Sequence, residues 1–162
     1  MAKYKLGFLL ILLTFAGLSP AKAQFWEVSL LTADPGTELY SSFGHSAIRM
    51  REIGPDGRDL VFNFGTFDFD TPNFYGKFAT GKLNYMLSVV PYDRFIIEYD
   101  YYKRGLREQV LDLNQEQKDF LLQHLDAQYA PERRFYKYDF FYNNCATKIR
   151  DAFDIAMGEQ LV

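Results

Sequence analysis

Apolar and polar positions alternate loosely from Phe25 to Leu31, which predicts a first strand. Thr32 to Glu38 holds Pro35-Gly36 and reads as a turn. Alternation resumes in "GHSAIRMRE" (Gly44 to Glu52), with His45, Ala47 and Arg49 on one side and Ser46, Ile48 and Met50 on the other. "GPDGR" (Gly54 to Arg58) then predicts a hairpin whose return strand is "DLVFNFGTF", Asp59 to Phe67. Pro72 to Thr80 is a short helix or a structured loop, Leu83 to Val90 a strand, and Pro91 the opening of a short helix through Tyr99. Gly105 to Leu113 alternates once more.

Beyond Asn114 the period lengthens. Asn114 is a favourable N-cap with Gln117 three residues on, and Phe120, Leu121, Leu125 and Tyr129 are spaced as one helical face ended by Pro131. His124 falls on the wet side of that helix and receives no role. A last stripe, Cys145, Ile149, Ala152, Phe153 and Ala156, marks a second amphipathic helix that stops at Gly158. No internal repeat or low-complexity tract interrupts the pattern. The element mixture is that of an α+β domain.

The amino terminus has a different character. Lys3 and Lys5 precede an apolar run from Gly7 to Leu18, and Ala21-Lys22-Ala23 is a small-x-small cleavage pattern, so residues 1–23 read as a secretory signal peptide. The 12-residue run is short of the roughly 20 that span a bilayer. Gln24 stands where a lipoprotein signal would need a cysteine. Residues 24–162 then form one exported domain. Loss of Lys3, Lys5 and Lys22 takes the 18 basic residues to 15 against 21 acidic, a formal charge of −6. No basic stripe survives, which argues against a nucleic-acid partner. Sixteen Phe and 12 Tyr supply either a core of large side chains or an aromatic-walled groove as well.

The chain has a single cysteine, Cys145, and exported proteins normally pair their thiols. It is either a small buried hydrophobe or a working thiol. With Asn143 or Asn144 as N-cap, Cys145 enters the first turn of its helix, where free N–H groups and the dipole favour negative charge. A free thiol, pKa about 8.5, is only about 3% thiolate at pH 7. Lowering it by about two units needs about 2.7 kcal/mol. A helix dipole usually supplies ~0.3–1 kcal/mol. A basic partner is therefore required, and of the two histidines His45 fits, following a glycine and leading into a strand. The imidazole needs a third group to fix its tautomer; Asn63 on the return strand is the candidate, with Asp68 the alternative. Tyr142 and the backbone N–H of Cys145 are candidate oxyanion donors. Ser42 and Ser46 lack a strand-to-helix elbow, and one Cys with two His lacks zinc-site spacing, so no metal or cofactor is expected.

"SSFGHSAIRM", "FNFGTFDF" and "YDFFYNNCATKIRD", in this order, resemble the Lnb N-terminal periplasmic domain family, and the likeness extends over Phe25 to about Met157. The family is similar to circularly permuted papain- and NlpC-type thiol enzymes. The resemblance implies a small antiparallel sheet carrying His45, packed against helices, one with Cys145 at its N-terminus. It implies a periplasmic acyltransferase moving an acyl chain from a phospholipid, through a Cys145 thioester, to the terminal amine of a lipoprotein at the membrane surface. Cys145 would be the nucleophile, His45 the general base and acid, and Asn63 the orienting group. A periplasmic cysteine hydrolase cutting wall peptides and a non-catalytic envelope-binding domain are the alternative readings. Family members continue into membrane-spanning segments, whereas this chain stops at Val162. It is thus expected to be a truncated product, a fragment or a stand-alone form.

Overall fold

The computed structural model describes residues 25–158, so segment 1–23, which the sequence pattern reads as a signal peptide, lies outside the described residues. Six strands form one antiparallel sheet. They are β1 (Trp26–Ala33), β2 (His45–Glu52), β3 (Asp59–Thr66), β4 (Asn84–Pro91), β5 (Leu106–Val110) and β6 (Phe135–Lys137). Their spatial order is β5-β1-β2-β3-β4-β6. Four helices complete the α+β domain: α1 (Phe74–Ala79), α2 (Tyr92–Tyr101), α3 (Gln115–Tyr129) and α4 (Cys145–Met157). Among the described residues no helix is long and apolar enough to cross a membrane.

Alternation within the central strands sorts side chains onto two covered faces. Val28 faces Met50 and Leu30 faces Ile48 across β1 and β2; with Trp26, Phe62, Phe64 and Leu87 they meet Leu121 and Leu125 of α3 and Ile149, Ala152 and Ala156 of α4. The opposite face, Leu31, Ala33, Ala47 and Val61, is closed by Phe95 and Tyr99 of α2. Burying a leucine such as Leu121 stabilises the fold by about 1.5–3 kcal/mol. Arg49 shares the α2 face but keeps its charge paired. It bonds Asp59 and Glu108, and its guanidinium lies 3.4 Å from the centre of the Tyr92 ring. A third cluster, Phe74, Leu83 and Tyr85, lies under α1.

The hairpin falls where the glycine-proline signal placed it, and Asn114 caps α3 with a reciprocal Gln117 bond. Four expectations are corrected. β1 runs on through Ala33, because Thr32 and Ala33 pair with Ser46 and His45. Phe120 and Tyr129 do not join the buried face of α3: they are 50% and 39% exposed, while Leu121 and Leu125 are fully buried. At 100° per residue Phe120 lies well off the Leu121–Leu125 line, whereas Tyr129 stays near it but is the last residue of the helix. His124 is half-buried rather than on the wet side; burial first, and then the charge of Lys148, lower its pKa. Finally, β6 is a strand the sequence pattern did not announce.

Candidate active site

The two asparagines before the thiol do different work. Asn143 Nδ2 donates to the Lys137 carbonyl at 2.6 Å and ties the loop back to β6. Asn144 is the N-cap: its Oδ1 accepts from Thr147 N–H at 3.0 Å, and Thr147 Oγ1 accepts from Asn144 N–H at 2.8 Å. The box fixes Cys145 as the first residue of α4. Cys145 is a free thiol, partly buried against the main core.

His45 opens β2 directly after Gly44. Gly44 has φ +77°, and a Cβ on it would stand 2.9 Å from the Ala33 carbonyl, so a side chain there would force β1 and β2 apart. Asn63 is one strand over, in β3. The β2–β3 register, Ile48 opposite Phe62 and Arg49 opposite Val61, puts Asn63 diagonally across from His45 on the same face. His45 Nε2 donates to Asn63 Oδ1 at 2.5 Å. An amide oxygen only accepts, so the ring proton sits on Nε2 and the Nδ1 lone pair is left for the sulfur. Asp68, the alternative orienting group, is exposed and accepts from Asp70 N–H.

The two halves of the site meet at Gly65. The β3–β4 register shifts between Phe64 and Thr66, and Gly65 sits in this bulge with φ +92°. A Cβ built there would lie 3.6 Å from His45 Cε1, 3.7 Å from Cys145 Cβ and 3.9 Å from the Tyr136 hydroxyl. A glycine inside an otherwise alternating strand is itself a sequence signal for such a bulge.

Burial pushes the Cys145 thiol pKa up, yet the net shift is downward. The hydrogen bond and charge of His45 lower it, and the backbone N–H groups of Ser46 and Ala146 add to that. Tyr136, which sequence reasoning missed, contributes a buried hydroxyl with no hydrogen-bond partner. Gly65 N–H faces it, short of regular hydrogen-bond geometry. Burial, and then the neighbouring Cys145, raise its pKa, so the phenol stays protonated beside the thiol. Tyr142, expected near the sulfur, is instead 83% exposed on the capping loop.

Two clefts share His45, Gly44, Gly65, Tyr40 and Phe67. The larger, about 780 Å³, contains Cys145 and is walled by Leu39, Phe43, Phe67, Phe78, Tyr85 and Phe140. At its rim Phe43 packs edge-on against Phe140 at 4.8 Å, and Phe140 against Phe141 at 5.1 Å. The smaller, about 210 Å³, reaches Asn63 and is lined by Glu38, Glu98, Arg104, Tyr99 and Tyr102. Among the described residues no three His, Cys, Asp or Glu side chains converge as metal ligands.

No curated protein and no solved structure matches the chain. The model of the Lnb N-terminal periplasmic domain family matches residues 20–161. The His45-bearing strand, the bulged Asn63 strand and the Cys145 helix all fall inside that match. The chain therefore belongs to the Lnb N-terminal periplasmic domain family, whose members are periplasmic domains.

Proposed function

We propose that this domain is a thiol acyltransferase that takes an acyl chain from a phospholipid and passes it to the terminal amine of a lipoprotein. One observation carries the reading: a thiol whose pKa is lowered by an Asn63-bound histidine opens into a wide cleft walled by aromatic and aliphatic side chains. Wall peptides are ionic, and that lining suits a hydrocarbon chain better.

In the first half-reaction His45 Nδ1 holds the thiol proton and Cys145 Sγ attacks the ester carbonyl. The tetrahedral oxyanion forms beside the first turn of α4. There Asn144 already occupies Thr147 N–H, leaving the N–H groups of Cys145 and Ala146 to receive it. Collapse breaks the ester C–O bond, His45 returns its proton to the departing alkoxide, and a Cys145 thioester remains. In the second half-reaction a neutral amine attacks the thioester carbonyl and yields its proton to His45. The C–S bond breaks, leaving a stable amide and a thiolate–imidazolium pair. Asn63 holds the ring in one tautomer throughout.

Incubation with phospholipid vesicles is expected to add the mass of one acyl group to Cys145, removable by hydroxylamine and absent in Cys145→Ala. Release of wall fragments with no adduct would make the domain a hydrolase. Full in-cell function of Cys145→Ala would make it a binding domain.

A further inference from the structure

The smaller cleft holds no part of the thiol, yet it opens onto the same imidazole. We propose that it is the acceptor subsite, and that it recognises a peptide amino terminus through the carboxylates of Glu38 and Glu98; this rests on the acyltransferase reading. Size is the first argument. At about 210 Å³ it is far smaller than the Cys145 cleft of about 780 Å³, which suits the smaller of the two substrates.

Charge is the second. Glu38 and Glu98 line the cleft, and among the described residues neither carboxylate enters an ion pair or a side-chain hydrogen bond. Arg104 is the cleft's one guanidinium, anchored by its Nε bond to the Asp34 carbonyl and stacked 4.8 Å over Tyr99, with its Nη2 buried and without a partner. The lining is therefore net negative, and a cation is drawn in.

The third is Asn63, which is 8% exposed and lines the cleft. Its Oδ1 is committed to His45, while its Nδ2 donates to no protein group. This amide donor left open towards the cleft, together with the buried, unpartnered Arg104 Nη2 in the same lining, calls for an acceptor on the ligand. A peptide amino terminus supplies both features, an ammonium and, two bonds away, a carbonyl oxygen.

Transfer balances as follows. The ammonium releases one proton to water, and the neutral amine attacks the Cys145 thioester carbon. The second proton passes to His45 Nδ1, and sulfur departs as thiolate. His45 lines both clefts, so one imidazole serves both half-reactions without moving between sites.

The test charges Cys145 from phosphatidylglycerol vesicles, which carry no amine, and isolates the acyl-enzyme. It then follows aminolysis by a short free-amine peptide against hydrolysis of the same thioester. Glu38→Gln/Glu98→Gln is expected to raise the KM for the peptide at least tenfold and to leave the hydrolysis rate within twofold. Both side chains are on the surface, so the fold is not at risk. Wild-type KM in the double variant, or a parallel fall in hydrolysis, would overturn the subsite. A wild-type acyl-enzyme that hydrolyses but never transfers overturns the subsite and spares the thioester. A wild-type protein that takes no acyl group overturns the function as well.

Discussion

At the Cys145 sulfur, burial and hydrogen bonding pull in opposite directions. Removing water favours the neutral thiol; His45 and two backbone N–H groups favour the thiolate, and they prevail. A lowered pKa means that the thiolate persists at pH values where a free thiol is protonated. His45→Ala removes the strongest opposing partner and leaves the burial, so the pKa climbs. Below that midpoint each unit of climb removes about tenfold of thiolate. The pH profile of iodoacetamide alkylation reads this directly, with the midpoint moving upward in His45→Ala. Asn63→Ala should move it the same way by less, because the ring survives but its tautomer is no longer fixed. An unchanged profile in His45→Ala would dissolve the pair. Residue types were readable here from the sequence: one cysteine, two histidines and a glycine before one of them leave few combinations. Tyr136 was not readable, since nothing along the chain marks one of 12 tyrosines as the one behind the thiol.

Among the elements, α4 was the most legible and β6 the least. The helix declares itself through Asn144, the stripe from Cys145 to Ala156 and Gly158, all local signals. Asn144→Ala deletes the side-chain arm of the capping box and the Phe140 tie while keeping the Asn144 N–H bond to Thr147 Oγ1, and is expected to lower stability by about 1 kcal/mol, read as an earlier midpoint in urea. The same variant frays the turn that presents Cys145, so alkylation should slow as well. A stability loss with unchanged thiol reactivity would show that the cap serves the helix alone. β6 is only three residues, Phe135–Lys137, and exists because Tyr85 and Tyr136 pair across β4. A strand that short has no period to detect. Phe120 misled for a related reason: it is apolar and correctly spaced from a neighbour, but only packing decides which of two adjacent residues faces inward.

Across the whole molecule, exposed apolar residues occur on several elements, and one group of them gathers at the Cys145 cleft. Phe43, Phe141 and Tyr142 are 77%, 73% and 83% exposed, and Phe43 and Phe140 stand at the mouth of the Cys145 cleft. Under the proposed function this rim rests on the bilayer that supplies the acyl donor. Residues 24–162 carry a formal charge of −6, so attraction to lipid is apolar rather than Coulombic. Phosphatidylcholine vesicles should therefore retain the domain in high salt, and Phe43→Ser/Phe141→Ser/Tyr142→Ser should weaken sedimentation with them several-fold. Salt-sensitive binding, or none, would place the lipid contact elsewhere.

What the sequence determined by itself was local: strand alternation, the hairpin, two capped helices, and a thiol at a helix start with one plausible base. These follow from dihedral preference and side-chain period, which act over a few residues. Tertiary structure alone decided that positions 45, 63, 65, 136 and 145 converge. It also decided that Asn63 rather than Asp68 holds the ring, that Tyr142 turns outward, and that two clefts share one imidazole. Those outcomes depend on strand register and on a bulge, where a one-residue slip would send each side chain to the other face of the sheet.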